Sequence, residues 1–255
     1  MRIAVAGGTG TVGRHVVDVA RERGHEVVVL ARSVGVDLIS GEGLAEALAG
    51  VDVVVDTANI MSIDRETAER FFTTSSRTLL AAEARAGVGH HVLLSIVGID
   101  EVPYAYYEAK LAQERVVEQG QVPWTILRAT QFHEFAGQMA GRMRVAGVQL
   151  APRMRTQPVA AREVGERLVE LAEHPAAGRA GELAGPREEQ LSEMVRRLAR
   201  AEGRRGPVLS IALPMKGMRE MRHGAVLPGP HARLGRQSFD EWLASAPRRG
   251  AAPPR

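Results

Sequence analysis

The sequence of 255 residues contains no cysteine. This absence excludes disulfide bonds, thiolate metal sites and thiol nucleophiles. A long hydrophobic run is also missing at the N-terminus, where the apolar stretch after Arg2 ends in glycines and is too short for a secretion signal or a membrane span. We therefore expect a cytoplasmic protein that has no membrane partner, and the sequence predicts no metal site.

Lysine is nearly absent, because Lys110 and Lys216 are the only two lysines among 33 basic residues. With 30 acidic residues the formal net charge is only +3. The densest basic stretches are pairs such as Arg204 and Arg205, whereas proteins that track nucleic-acid phosphates usually concentrate their cations on one stripe. We expect a small-molecule substrate and no nucleic-acid partner, and the sequence leaves open a monomer or a small homo-oligomer.

Apolar runs of strand length alternate with segments of helical period through the first half of the chain. The predicted strands cover residues 3–6, 26–30, 51–55, 91–95 and 124–127, and the predicted helices cover residues 11–23, 43–49, 65–86 and 104–118. The strands are rich in Val, Ile and Leu without strict alternation, as expected when helices cover both faces of a sheet. This pattern predicts the α/β class, with a doubly wound parallel sheet of the Rossmann type.

The pattern weakens after about residue 130, where the elements become shorter and less regular. The predicted elements of this half are helices over residues 161–173, 188–202 and 239–244 and short strands over residues 182–184 and 208–213. We divide the chain into a nucleotide-binding core (1–150), a small irregular C-terminal substrate lobe packed on that core (151–245) and a disordered tail (246–255).

A glycine-rich loop, GGTGTVG, follows the first predicted strand and opens the first predicted helix. Glycines at this spacing permit a tight turn and close backbone approach to a pyrophosphate, and the free N–H groups of the helix N-terminus then face the anion. The residues expected at the pyrophosphate of a bound dinucleotide are Gly7, Thr9, Gly10, Thr11, Val12 and Gly13.

Arg32 and Ser33 follow the second predicted strand, where NAD-binding folds usually carry an acidic residue for the ribose 2′-hydroxyl. A guanidinium there suits a 2′-phosphate, so the sequence favours NADP(H) over NAD(H) as the cofactor. In a chain with 31 arginines, chance is the alternative explanation. Asp37 and Leu38 are expected beside the adenine.

The third predicted strand is followed by Ala58 and Asn59, at a place where backbone approaches the cofactor in such sheets. Asn59 is the only asparagine in the protein. We expect both residues to contact the cofactor, and the alternative for Asn59 is an ordinary turn residue.

Tyr106 and Lys110 lie four residues apart, so on a helix they share one face. A nearby ammonium favours the phenolate and lowers the pKa of the phenol, which suits an acid or base in catalysis, and the same lysine can hold the nicotinamide ribose. Because the chain otherwise uses arginine, a lysine at 110 suggests a need for a compact charge. Ser95, at the end of a strand, can donate to a substrate carbonyl. The alternatives are helix packing for the tyrosine and a turn for the serine.

Five segments together resemble the short-chain dehydrogenase/reductase superfamily, in its atypical NmrA-like branch: GGTGTVG, LARS, LLSIVGID, YYEAKLAQE and WTILRATQFHEF. The resemblance implies NADP(H) across the carboxyl ends of the strands and a substrate cleft between sheet and lobe. It places Ala129 and Thr130, with Arg128 before them, on the nicotinamide side. The substrate-cleft candidates that it implies are Met61, Gln131, Phe132, His133 and Phe135.

The sequence departs from that superfamily in one helix, since no asparagine lies between residues 65 and 86 to serve as the proton-relay asparagine of its best-known members. Tyr106 is kept, however, and some NmrA-like relatives that lack the tyrosine only sense the cofactor. We therefore predict an NADPH-dependent reductase of a carbonyl or quinone, with Tyr106 as proton donor. The alternatives are an NADP(H)-sensing regulator without turnover and an epimerase or dehydratase that uses a tightly held cofactor.

Overall fold

The structure is a computed structural model that describes residues 1–62, 64–145, 147–204 and 206–245. The predicted disordered tail, residues 246–255, lies outside the described residues. The strands are β1 (Arg2–Ala6), β2 (Glu26–Leu30), β3 (Val53–Asp56), β4 (His90–Ile96), β5 (Trp124–Ala129), β6 (Arg144–Val145), β7 (Val148–Pro152), β8 (Arg155–Thr156), β9 (Gly178–Arg179), β10 (Leu183–Ala184), β11 (Glu189–Gln190), β12 (Val208–Ile211) and β13 (Arg233–Leu234). The helices are α1 (Gly13–Glu22), α2 (Leu44–Ala47), α3 (Arg65–Ala86), α4 (Ala105–Glu118), α5 (Phe135–Arg142), α6 (Ala161–Ala172), α7 (Leu191–Ala201), α8 (Met218–His223) and α9 (Phe239–Ser245).

The main sheet has the strand order β2-β1-β3-β4-β5-β10-β13, with β9 also beside β5. All of its pairings in the described part of the chain are parallel. The order reverses next to β1, since the chain runs outward to β2 and then returns to β3 on the other side. The predicted α/β fold with a doubly wound parallel sheet is confirmed, and such a reversal creates a crevice at the carboxyl ends of the strands.

Both faces of the sheet are covered by helices, which explains the continuous apolar runs of the strands. Along β1, Ile3 and Val5 pack in one core with α1 and α6, whereas Ala4 and Ala6 pack in a second core with α2 and α3. Successive strand side chains point to opposite faces, so a strand between two helix layers needs an apolar residue at each position. The main sheet therefore holds the ends of β1, β3, β4 and β5 in fixed relation to one another.

The lobe has its own core, built from α5, α7, α8 and α9 around residues such as Met194, Met221 and Phe239. However, α6 packs on α1, and β10 and β13 extend the main sheet. The lobe also begins before residue 150, because α5 belongs to its core. A single boundary at residue 150 therefore does not separate the core around the main sheet from the core of the lobe, because segments of both lie on each side of that residue.

Within the described ranges, none of the helices combines the length and apolar character needed to cross a membrane.

Candidate functional site

A cavity of about 390 Å³ opens at the carboxyl ends of the main-sheet strands, between the sheet and the lobe. One part, which we name the sheet end, is lined by Thr11, Val12, Thr57, Ala58, Asn59, Ser95, Tyr106, Lys110, Ala129, Thr130 and Gln131. The other part, which we name the lobe end, is lined by Phe135, Gln138, Met139, Met143, Pro152, Met154, Leu191, Leu213, Met215, Met218 and Met221. The structure therefore brings most of the predicted site residues together.

The glycine loop enters the sheet end with geometry that only glycine satisfies. Gly7 has φ 71°, and a Cβ on Gly13 would lie 2.1 Å from the Gly7 carbonyl oxygen. The N-terminus of α1 has no side-chain cap and no acidic residue in its first turn. Free N–H groups beside a backbone cradle fit the pyrophosphate of a dinucleotide. The exposed Thr9 and Gly10 complete this loop.

The residues after β2 lie apart from the cavity lining. Arg32 and Ser33 are exposed, and Arg32 forms no salt bridge within the described part of the chain. Asp37 accepts hydrogen bonds from the backbone N–H groups of Ser40 and Ile39, and these bonds hold the pKa of its carboxyl below the usual value. Leu38 packs against the core between the sheet and α2. Asp37 and Leu38 thus shape the turn, and their contact with adenine stays a prediction.

Tyr106 projects from α4 to the loop that follows β3. Its hydroxyl donates a hydrogen bond of 2.8 Å to Asn59 Oδ1, and its ring packs edge-on against Phe72 of α3. Burial raises the pKa of Tyr106 to about 12, although the bond to Asn59 opposes the rise. The prediction that Lys110 lowers this pKa is wrong for this structure. Tyr106 is therefore a protonated phenol at neutral pH.

Lys110 is buried on the same helix, but its ammonium group contacts other partners. It donates to the Leu94 carbonyl at 2.9 Å and to Gln113 Oε1 at 2.5 Å, and it lies 4.9 Å from the centre of the Phe72 ring. Burial lowers the pKa of Lys110 to about 8, while the charges of Asp56 and Glu114 oppose that fall. The charge of Lys110 is thus sensitive to pH just above neutrality.

Gln113 connects Lys110 to a buried polar group below the cavity. Its amide donates to Ser76 Oγ at 2.9 Å and to Asp56 Oδ2 at 3.2 Å, and all of these side chains are buried. Asp56 in turn accepts from the backbone N–H of Ala58 at 2.8 Å. The network therefore links the ammonium of α4 to the loop that carries Asn59.

Ser95 lines the cavity at the end of β4 but is almost fully buried. Its oxygen has no partner of normal hydrogen-bond geometry among the described residues, yet it is close enough to Glu114 to help lower the pKa of that carboxyl. The Arg128 guanidinium donates hydrogen bonds of 2.9 and 2.7 Å to the Glu114 carboxylate. It also forms a salt bridge with Asp100. Arg128 therefore supports α4 and does not line the nicotinamide side as the resemblance implies.

Gln131 lines the sheet end of the cavity from the segment that follows β5. Its amide nitrogen donates to the Tyr107 hydroxyl at 3.1 Å, and its amide oxygen accepts from Thr156 at 2.8 Å. Thr130 donates to the Gln157 carbonyl at 2.5 Å, so the segment after β5 is fixed on β8 and its neighbours. Phe132 and Phe135 line the cavity nearby, as does the half-exposed Met61 after β3.

His133 does not line the cavity, so its prediction as a cleft residue is corrected. The ring is fully buried, its Nε2 bonds to the Gln237 carbonyl at 3.0 Å, and it packs against Phe239 and Trp242 of α9. Burial also lowers the pKa of His133, which favours the neutral ring. His133 thus anchors the last helix of the lobe to the segment after β5.

The methionines of the lobe end were not among the site residues predicted from the sequence. Seven of the nine methionines line the cavity, of which Met61 alone was a predicted site residue. The remaining six are Met139, Met143, Met154, Met215, Met218 and Met221. Their clustering after residue 138 is visible in the sequence, but they come from separate segments and converge only in the fold. The described residues contain no cluster of side chains suited to a metal ion.

Comparisons with known proteins agree with this architecture. A family model described as NAD(P)H-binding matches residues 7–175. Over 147 residues the chain is 31% identical to the photosystem II assembly factor Ycf39 of Synechocystis sp., covering 52% of this chain and 45% of that protein. Over 161 residues it is 31% identical to the (4-alkanoyl-5-oxo-2,5-dihydrofuran-3-yl)methyl phosphate reductase of Streptomyces griseus subsp. griseus, covering 57% of this chain and 53% of that protein.

The chain spans about half the length of these curated relatives. Among solved structures, MoeE5 in complex with UDP-glucose and NAD superposes with a TM-score of 0.69 at 17% identity. That superposition covers 96% of each chain. At this level of identity the likeness concerns the fold.

Proposed function

Because the chain belongs to the NAD(P)H-binding family, in the atypical NmrA-like branch of the short-chain dehydrogenase/reductase superfamily, we propose that it is a reductase that uses NADPH to reduce a carbonyl or quinone. The observation that carries the proposal is the position of Tyr106. Its protonated hydroxyl lies in one cavity with Lys110, the start of α1 and the ends of β3 and β5.

In this proposal the bound cofactor supplies a hydride to the substrate carbon. Tyr106 gives its proton to the substrate oxygen, so a carbonyl becomes an alcohol and the phenolate regains a proton from solvent. Asn59 holds the hydroxyl in position before the transfer, since it accepts the bond at 2.8 Å. Lys110 is assigned to the cofactor ribose, Ser95 to the substrate oxygen, and Ala58, Ala129 and Thr130, which line the same cavity, to the nicotinamide side.

The preference for NADPH over NADH is assigned to Arg32, with Ser33 beside it. An exposed guanidinium without a salt bridge is available to a 2′-phosphate. We expect Arg32→Ala to weaken NADPH binding by about tenfold or more, because a hydrogen bond to a charged group contributes about 1.5–3 kcal/mol. Binding of NADH, titrated in parallel, should not change. Equal losses for both cofactors would remove Arg32 from this role.

The assignment of Tyr106 is tested with Tyr106→Phe and a panel of ketones and quinones. Positioned proton transfer contributes about 10²–10⁴-fold, so ketone reduction should fall by at least about 100-fold. The affinity for NADPH and the free energy of unfolding serve as controls and should stay close to the wild type. Equal ketone turnover by both proteins would show that Tyr106 is not the proton donor.

A second candidate is a cofactor sensor without turnover. Two observations favour it: Lys110 contacts Leu94 and Gln113 in this structure, and one relative is named an assembly factor. A sensor should bind NADPH tightly, consume none with any substrate of the panel and retain a partner only in the presence of cofactor. An epimerase or dehydratase, the third candidate, should convert its substrate with no net consumption of NADPH.

A further inference from the structure

The lobe end of the cavity differs chemically from the sheet end. Six methionines and the side chains of Leu191, Leu213 and Phe135 form most of its described lining. Methionine is unbranched, polarizable and able to adapt to irregular apolar shapes. Gln138 of α5 also lines the cavity, but its amide is uncharged, so this part of the cavity offers mainly contact to hydrocarbon.

Charge is nearly absent from the same surface. Although the chain contains 31 arginines, none is among the described lining residues, and neither is any carboxylate. The one charged residue of the lining is Lys110, which lies at the sheet end and is buried. Lys216 follows the lining residue Met215 in the chain, but its side chain is 77% exposed and lies 4.0 Å from Glu108.

The sheet end carries the polar side chains of Tyr106, Asn59 and Ser95, whereas the lobe end has the uncharged amide of Gln138 and no charged side chain among its described lining. From this gradient we infer that the substrate is a neutral, lipophilic carbonyl compound, whose oxygen lies at Tyr106 and whose hydrocarbon body fills the methionine-lined lobe end. This inference rests on the proposed reductase function and names its substrate class.

The same gradient argues against anionic substrates. A diphosphate such as that of UDP-glucose, which is bound in MoeE5, normally requires arginine or lysine side chains as partners. A carboxylate or phosphate at the methionines would be desolvated without a partner, which disfavours binding strongly. The lining thus selects against charge at the end of the substrate remote from the carbonyl.

Two ketones of equal length separate these possibilities. 2-Nonanone ends in a methyl group, whereas 8-oxononanoate carries the same carbonyl and a carboxylate at the far end. Calorimetric titration at pH 7, with the full chain saturated with NADP⁺ so that no hydride is transferred, should show 2-nonanone binding at least about tenfold more tightly. UDP-glucose should not compete with it. Equal or tighter binding of 8-oxononanoate, or competition by UDP-glucose, would overturn the inference.

A matched pair of variants tests whether the cavity sets this preference. Met215 is 44% exposed at the lobe end, so arginine can be placed there with little cost to folding, and Leu209 is 50% exposed outside the lining. Met215→Arg should lower the preference for 2-nonanone by at least about threefold, because it supplies a cation to the carboxylate. Leu209→Arg should leave the preference unchanged. An equal effect of both variants would contradict the assignment to the cavity.

Failure of this inference is distinguishable from failure of the proposed function. If 2-nonanone binds selectively but NADPH is not consumed, the ligand class is supported and the reductase activity is wrong. If 8-oxononanoate or another anionic ketone is reduced faster than 2-nonanone, the activity is supported and the ligand class is wrong.

Discussion

The two ends of the cavity are fixed by different physical means. At the sheet end, parallel strands hold the backbone, and hydrogen bonds hold side chains such as Tyr106 and Lys110. At the lobe end, methionines on separate segments fill space through apolar contact. The comparison indicates that function depends on the exact position of polar side chains at the sheet end. At the lobe end it depends on the volume of the side chains and on the absence of charged ones.

The same glycine substitution in the cofactor loop and in the lobe should have opposite effects. In Gly13→Ala the new Cβ would lie 2.1 Å from the Gly7 oxygen, so the cofactor loop must move. Strain of about 3 kcal/mol corresponds to a loss of about 100-fold in NADPH affinity. In Gly137→Ala, on α5, the Cβ would meet Leu198 at an ordinary 3.6 Å. That variant should gain about 0.5–1 kcal/mol in the free energy of unfolding, measured by urea denaturation. A Gly13→Ala protein that binds NADPH normally would refute the role of the loop.

The second prediction concerns pH and Lys110. Because its pKa is lowered to about 8, the ammonium loses its proton in the folded protein as pH rises above 8. If the charge holds the cofactor, NADPH affinity should fall about tenfold or more between pH 7 and 9.5. Tyr106, with a pKa of about 12, stays protonated in this window. Fluorescence titration of NADPH measures the effect.

Lys110→Met provides the control for that titration. Its NADPH affinity should be weaker at neutral pH and nearly constant over the same range. The same alkaline decline in Lys110→Met would assign the effect to another group.

The third prediction isolates Asn59, which accepts the hydrogen bond of Tyr106. Asn59→Ala should slow ketone reduction by about fivefold, since a neutral hydrogen bond contributes about 1 kcal/mol. If Asn59 acts mainly on the tyrosine, kcat should fall while the dissociation constant of NADPH changes little. A loss confined to cofactor binding would make Asn59 a cofactor residue only, as the sequence predicts.

The smallest effect is expected at the lobe end. Met221→Leu conserves volume approximately, so it should change the free energy of unfolding by less than about 1.5 kcal/mol. Leucine adapts less readily than methionine, so the variant should reduce fewer of the bulky ketones in a panel while keeping its rate with 2-nonanone. Loss of activity with all ketones would show that position, rather than volume, matters here as well.

The difference between the two ends also explains which elements and site residues could be predicted from the sequence. The strands β1–β5, the long helices α3 and α4 and the glycine loop are local patterns of hydrophobic period and backbone freedom, and the sequence predicts them within a few residues. The bond between Tyr106 and Asn59 joins residues 47 apart, and the partners of Lys110 lie on both α4 and β4. Such long-range pairings do not show in a local sequence pattern. The spacing of Tyr106 and Lys110 therefore predicted a lowered pKa for the tyrosine, whereas burial raises it.

The lobe was harder to predict because its elements are short. The helix α8 has six residues, and β6, β8, β9, β10, β11 and β13 have two each, too few for a period to show. His133 illustrates the consequence. Its sequence neighbours place it beside the cleft, but the packing of α9 turns the ring into the core.

The most direct test follows the reacting atoms. Two samples of NADPH, each deuterated at C4 on a different face of the nicotinamide ring, are incubated separately with 2-nonanone and the full chain. The product of each reaction is analysed by mass spectrometry. The account predicts 2-nonanol with one deuterium on the carbinol carbon from one of the two labelled cofactors, and at least about 100-fold less product with Tyr106→Phe. Bound NADPH with no labelled alcohol from any neutral ketone would contradict it.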